Sequence, residues 1–85
     1  MKTLFVLVKC APSQTEAVGN ALETLGDGNW EVYSITGKYD LLIKIRVGSV
    51  DEIQTIVQEQ IQVNPHIRDT YTFFSFRMYG DFSVF

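Results

Sequence analysis

Trp30-Glu31-Val32-Tyr33-Ser34-Ile35-Thr36-Gly37-Lys38-Tyr39-Asp40-Leu41-Leu42-Ile43-Lys44-Ile45-Arg46-Val47 is the stretch on which the fold turns. It holds two β-prone runs, Trp30 to Thr36 and Tyr39 to Val47, joined by Gly37-Lys38. That join is short enough for a hairpin, with Gly37 able to take positive φ. In the second run Leu41, Ile43, Ile45 and Val47 share one face, opposed by Leu42, Lys44 and Arg46. A period of two marks a strand.

Upstream, Thr3 to Cys10 is apolar and β-branched, which predicts a strand that Pro12 and Ser13 stop. Ser13-Gln14-Thr15-Glu16 reads as a capping box. Val18, Ala21, Leu22 and Leu25 follow at helical spacing, and Gly26 stands where a left-handed C-cap residue would sit. Downstream, Ser49-Val50-Asp51-Glu52 reads as a second capping box. The helix it opens turns Ile53, Ile56, Val57 and Ile61 inward and Gln54, Gln58 and Gln62 outward, and Asn64-Pro65 ends it. A last strand from about Asp69 to Tyr79 precedes Gly80 and a tail, Asp81 to Phe85. The order βαββαβ predicts an α+β, ferredoxin-like domain: a four-stranded antiparallel sheet with two helices on one face. Residues 1–79 form this single domain and residues 80–85 the tail.

Two helices cover one face of such a sheet, so a monomer should carry a polar second face. This sequence does not supply one. Phe5, Leu7, Tyr33, Ile35, Leu42, Tyr71 and Phe73 all fall on the side away from the helices, and seven of the eleven aromatics lie within Tyr71 to Phe85. At about 25 cal/mol per Å², burying half of that set supplies several kcal/mol. A chain of 85 residues buries only roughly 60–65% of its unfolded surface and has a thin core of its own. These faces predict a homodimer packed sheet to sheet, a dimeric α+β barrel, with Lys44, Arg46 and Arg77 toward its rim.

Composition excludes several classes. At 46% apolar the chain is not disordered. Seven basic against ten acidic residues, net −3, give no basic face for a phosphate backbone, so no direct nucleic-acid binding is expected. No apolar run reaches membrane-spanning length, and the N-terminal run lacks a signal-peptide cleavage site. One cysteine suits a reducing compartment, so the expected location is cytoplasmic.

The catalytic inventory is small. His66 and Cys10 are each the sole residue of their type, leaving no metal-ligand cluster. Cys10, at a strand end, reads as a small buried hydrophobe, and His66 as an exposed loop residue. One constellation stands apart. Gly37-Lys38-Tyr39-Asp40 and Pro65-His66-Ile67-Arg68-Asp69-Thr70-Tyr71-Thr72 flank the sheet. A carboxylate at Asp40, hydroxyls at Thr70 and Thr72 and bare amides beside a glycine suit a small zwitterion: Asp40 would take an ammonium and free N–H groups a carboxylate. The local alternative is an Asp40 that satisfies turn amides.

Ile35-Thr36-Gly37-Lys38-Tyr39-Asp40-Leu41-Leu42-Ile43-Lys44-Ile45 resembles the G-x-[YF]-D-[YL]-L-L-x-[VI] signature of the Lrp/AsnC ligand-binding domain, also called the RAM domain. Pro65, Ile67, Thr70 and Thr72 are similar to its P-G-V-x-x-T-x-T approach to the final strand. The resemblance implies an amino-acid effector bound between dimers of an octameric or decameric ring, lined by Gly37, Tyr39, Asp40, Thr70 and Thr72. Arg68 matches the variable position that meets the effector side chain in some members. It implies no enzyme activity and no cofactor. His66 replaces the motif's glycine, which changes the loop and narrows the expected pocket. With the first strand starting at Thr3, the resemblance is to the module without its helix-turn-helix domain, acting alone or joining a full-length regulator's ring. Two other readings stay open: a cofactor-free monooxygenase or small decarboxylase of the dimeric α+β-barrel type, using His66, Tyr39 and Trp30 around a pocket inside one subunit, and a protein-interaction partner with no ligand of its own.

Overall fold

The computed structural model describes residues 2–76 and Tyr79. Its elements are β1 (Lys2–Cys10), α1 (Thr15–Gly26), β2 (Trp30–Ser34), β3 (Leu41–Val47), α2 (Asp51–Gln54) continuing as a π-helical segment (Thr55–Ile61), and β4 (Ile67–Ser75). The four strands form one antiparallel sheet in the order β2-β3-β1-β4. The α+β, ferredoxin-like arrangement expected from βαββαβ is therefore the one observed.

Alternation along the central strands sorts the side chains as expected. Leu4, Val6 and Val8 of β1 and Leu41, Ile43, Ile45 and Val47 of β3 are buried, and Val18, Leu22, Val57 and Ile61 from the helical layer close over them. Trp30, Val32, Ile53, Ile56, Ile67 and Phe74 pack around this core. No buried side chain among the described residues is polar, so the interior is held by apolar burial alone.

Local readings that relied on short motifs need correction. Neither capping box forms. Ser13 takes a left-handed φ of 67° in the turn before α1, so Gln14 becomes the capping residue and no side chain caps the helix. At the second helix Val50 occupies the cap, and Glu52 reaches one residue too far back, accepting the Gly48 N–H at 2.8 Å. The α1 stripe is narrower than its spacing suggests: Val18 and Leu22 are buried, whereas Ala21 and Leu25 are exposed. The second helix winds mostly as π-helix, closed by the Gln62 N–H donating to the Val57 carbonyl at 2.8 Å. This rare winding keeps Val57 and Ile61 on the sheet while Gln54, Gln58 and Gln62 remain exposed.

Gly26 is the final helical residue, and Asp27 (φ 50°) with Gly28 (φ 80°) makes the left-handed turn. Its lack of a side chain serves packing. A Cβ there would fall 2.5 Å from the Trp30 Cβ and against Cγ of the same ring. Because the Trp30 Cβ is fixed to the β2 backbone, it cannot swing away. Gly26→Ala gains up to about 1 kcal/mol of helix propensity, but overpacking of this kind costs about 1–3 kcal/mol. Urea denaturation is expected to show net destabilisation. The added cost should shrink when Trp30→Ala is present, since the two residues share one contact.

The hairpin is looser than Gly37-Lys38 implies. β2 ends at Ser34, β3 starts at Leu41, and the Ile35 N–H bonds to the Asp40 carbonyl at 3.0 Å, leaving four residues to turn the chain. Gly37 does take positive φ, 111°. β4 begins two residues earlier than expected and ends at Ser75, with Phe76 already outside it. The readings placed on Arg77, Gly80 and the tail lie outside the described residues.

Candidate functional site

Register places the loop before β3 and the start of β4 at the same end of the sheet, with β1 between them. Val8 pairs with Leu41 on one side and Thr70 on the other. Asp40 thus lies two strand spacings from the start of β4, roughly 10 Å. Its backbone continues the ladder by donating to the Val8 carbonyl at 2.9 Å. Its carboxylate leaves the turn: Oδ2 accepts the Cys10 N–H at 2.8 Å and lies 3.6 Å from Lys9 Nζ. Asp40 therefore satisfies an amide thirty residues distant rather than amides of its own turn. Tyr39 is half-buried, with Lys38 Nζ 6.0 Å from the centre of its ring.

On the far side of β1 the ladder slips. Lys9 pairs with Asp69 but Cys10 with Ile67, so Arg68 is the extra residue of a β-bulge. Bulges redirect side chains beside functional sites. Arg68, Asp69 and Thr70 line a cleft of about 240 Å³ with Gln62 and Ile67. There the Gln62 amide donates to the Thr70 hydroxyl at 2.8 Å, and the Asp69 carboxylate accepts the Thr70 N–H at 2.9 Å. Thr72, in register with buried Val6, is half-buried on the helix side. One subunit thus brings Gly37, Tyr39, Asp40, Arg68 and Thr70 to one end of the sheet, with Thr72 two residues further in and level with Ile43, but it does not gather them into one pocket. Gly37, Tyr39 and Asp40 stand on one side of β1, and Arg68, Thr70 and Thr72 on the other.

Spacing alone missed four contributors: Lys9, the Cys10 amide, Gln62 and Asp69. Lys9 is signalled by alternation, since an odd position on β1 shares a face with Phe5 and Leu7. The Cys10 amide carries no sequence signal. Burial, with the nearby Asp40 charge, pushes the Cys10 thiol above its ordinary range, outweighing the Thr15 hydrogen bond and Lys9. This suits the expected inert, buried cysteine.

The sheet face opposite the helices carries Phe5, Leu7, Tyr33, Ile35, Leu42, Tyr71 and Phe73. One row across the strands reads Tyr33-Leu42-Leu7-Tyr71, and the next Glu31-Lys44-Phe5-Phe73. Phe5 stacks on Phe73 with ring centres 5.4 Å apart, and Tyr71 lies 5.9 Å from Phe73. Among the described residues Tyr33, Tyr71 and Phe73 remain 46%, 57% and 39% exposed on this face. Lys44, expected at the rim, instead sits inside the second row, 3.6 Å from Glu31. The Tyr33 hydroxyl donates to the same carboxylate, which lowers the Glu31 pKa, with Lys44 adding to the effect, and raises that of Tyr33.

An open groove of about 710 Å³ lies inside one subunit, between α1 and the edge strand β2, lined by Glu16, Gly19, Glu23, Trp30 and Val32 among others. Of the three residues an enzyme of this fold would use, only Trp30 borders it. His66 lies at the opposite end of the sheet, where its carbonyl accepts the Ala11 N–H at 2.7 Å, and Tyr39 is in the hairpin there. Trp30 pairs with Ile45, four positions along β3 from Leu41, roughly 13 Å away. The geometry does not assemble that triad. Among the described residues no group of metal-ligating side chains occurs, and no helix is long and apolar enough to cross a membrane.

Comparison with known proteins places this arrangement. The model of the Lrp/AsnC ligand binding domain matches residues 3–84. The solved structure of TTHA0845 from Thermus thermophilus is 34% identical and superposes with a TM-score of 0.84, covering 95% of this chain and 100% of that one. A Pyrococcus furiosus HTH-type transcriptional regulator, PF0250, is 29% identical over 76 residues, covering 87% of this chain. The chain spans about half the length of that curated relative, 51%. The Neisseria meningitidis transcriptional regulator NMB0573, solved as a complex with L-Met, has a TM-score of 0.77 over 94% of this chain and 53% of its own; at 12% identity that likeness is one of fold.

Proposed function

The chain belongs to the Lrp/AsnC ligand-binding domain family, a regulatory domain of transcription regulators, and from that premise we propose that it is a non-catalytic module that binds a small amino-acid effector and assembles with itself. Dimers form through the open sheet face and associate into an octameric or decameric ring. The effector lies between dimers, where Gly37, Tyr39 and Asp40 of one subunit meet Arg68, Thr70 and Thr72 of a neighbour. Such a contact would reunite the two half-sites that β1 separates within one chain. The module acts on transcription through its own effector or through a full-length regulator whose ring it joins, without touching DNA itself.

The observation that carries this reading is the family match across residues 3–84, which includes both half-sites. The geometry supports it, because Asp40 and the bulged start of β4 share one end of the sheet while the other expected interface residues share one face. A thermal-shift screen over the twenty amino acids tests it. A ligand held at a hundredfold its Kd adds about 2.7 kcal/mol, which raises the Tm of a domain this small by roughly 10 °C or more. At least one amino acid should do so. A protein shown to be oligomeric that responds to none of the twenty would end the effector reading.

A further inference from the structure

The zwitterion reading assigns the effector's ammonium to Asp40 and its carboxylate to backbone amides of the Gly37 loop. Side-chain geometry indicates a different carboxylate receiver. Both partners of the Asp40 carboxylate, the Cys10 N–H and Lys9 Nζ, are on Oδ2. Oδ1 is left to take a ligand's donor. Lys9 Nζ, 3.6 Å away, has three protons and this one anionic contact, and its side chain is 46% exposed against 27% for Asp40. Among the described residues the pair thus presents a solvent-accessible acceptor and solvent-accessible donors side by side. The head group of a free α-amino acid presents the same two charges in the opposite order.

The pair is not needed to hold the fold. An exposed lysine–carboxylate contact contributes about 0–1 kcal/mol, and Asp40 is already anchored by the Cys10 amide and by two backbone bonds of its own. Its position carries more information. Lys9 stands between the half-sites: Asp40 contacts it from the β3 side, and Asp69, which borders the cleft with Arg68 and Thr70, is in register with it on β4. Arg68 borders the same cleft and Lys38 lies beside Tyr39, but Lys9 is the cation that contacts Asp40 directly. With Lys9 this end of the sheet offers an alternating pattern of charge that matches a zwitterion.

Resting on the effector reading above, we infer that Lys9 is a binding residue that receives the effector's carboxylate while Asp40 receives its ammonium, so the site selects free α-amino acids with both head-group charges. Lys9 then sets specificity, because it rejects amines and amino-acid amides that Asp40 alone would admit.

The test is calorimetric titration of the assembled protein. The probe is the amino acid giving the largest thermal shift, compared with its carboxamide, which keeps the ammonium and neutralises the other end. Wild type should prefer the acid by about tenfold or more, a difference of about 1.4 kcal/mol. Lys9→Met should lose that preference by weakening the acid, Lys9→Arg should retain it, and Asp40→Asn should weaken both probes. Thermal melts and sedimentation of each variant confirm that it remains folded and assembled. If Lys9→Met binds the acid as wild type does while Asp40→Asn does not, the effector reading survives and the Lys9 assignment falls. If wild type binds none of the twenty amino acids, both fall.

Discussion

Phe73→Asp is expected to convert the assembly into a monomer of 9.7 kDa, read by sedimentation at micromolar concentration. Phe73 is stacked on Phe5 within one row of the open face and touches the tilted ring of Tyr71. Phe73 is 39% exposed in the single chain, so association adds only that share of the about 1.5–3 kcal/mol for a fully buried phenylalanine, counted twice at a twofold interface. The substitution also places a carboxylate in a surface that loses its water on association, where the described residues offer no uncommitted cation in its row. The nearest cation in that row, Lys44, is already committed to Glu31. The combined loss exceeds about 4 kcal/mol, a factor of a thousand or more in the dimer Kd. Circular dichroism should be unchanged, because Phe73 points away from the core that folds the subunit. A Phe73→Asp protein that still sediments as wild type would show that this face is not the interface, and an oligomer formed elsewhere would then have to be sought.

The second large effect separates the two sheet faces through adjacent residues. Ile43 is fully buried under the helices, whereas Leu42 next to it is half-buried on the open face. In the monomeric Phe73→Asp background, Ile43→Ala removes a core side chain at the centre of β3 and should cost about 2–5 kcal/mol. That is a large share of the roughly 5–15 kcal/mol that stabilises a typical domain. Leu42→Ala in the same background should cost less, about 1 kcal/mol or under, since the side chain still meets water there. In the wild-type background Leu42→Ala should instead appear as weaker association. Urea denaturation of the three monomeric proteins, Phe73→Asp alone and with each second substitution, provides the comparison. Equal costs for the two substitutions in the monomer would contradict the division of the sheet into a closed face and an open one.

Alternation survived folding because it depends only on the pleat. Every apolar residue of β1 and β3 that the period of two places inward, from Leu4 to Val47, is buried, and no neighbour could alter that without shifting the whole register. Capping motifs did not survive, because they depend on the backbone angles of the residue before the helix. Ser13 is turned into a left-handed conformation by the tight reversal after β1, so its hydroxyl is never offered to the helix. Gly26 departs from its expected role for a related reason. Its sequence position next to Asp27 and Gly28 suggests a turn, but the contact that requires a glycine is with Trp30 across the turn.

The candidate site divides along the same line. Gly37, Tyr39 and Asp40, like Thr70 and Thr72, could be named from short motifs because they are close together in sequence. Lys9 and the Cys10 amide could not, since they reach Asp40 only through strand pairing, over about thirty residues of separation. The bulge at Arg68 is equally invisible to spacing, since one extra residue on β4 appears only when the strand is laid against β1.

The sequence by itself determined the order of elements, the inward face of the central strands and the presence of a second apolar face, because each follows from local propensity and a two-residue period. Tertiary structure alone decided which cation neighbours Asp40, how the second helix winds, and that the two candidate half-sites lie apart within a chain. Those outcomes depend on register and on the strand order β2-β3-β1-β4, which places β1 between segments that the sequence lets one imagine in contact.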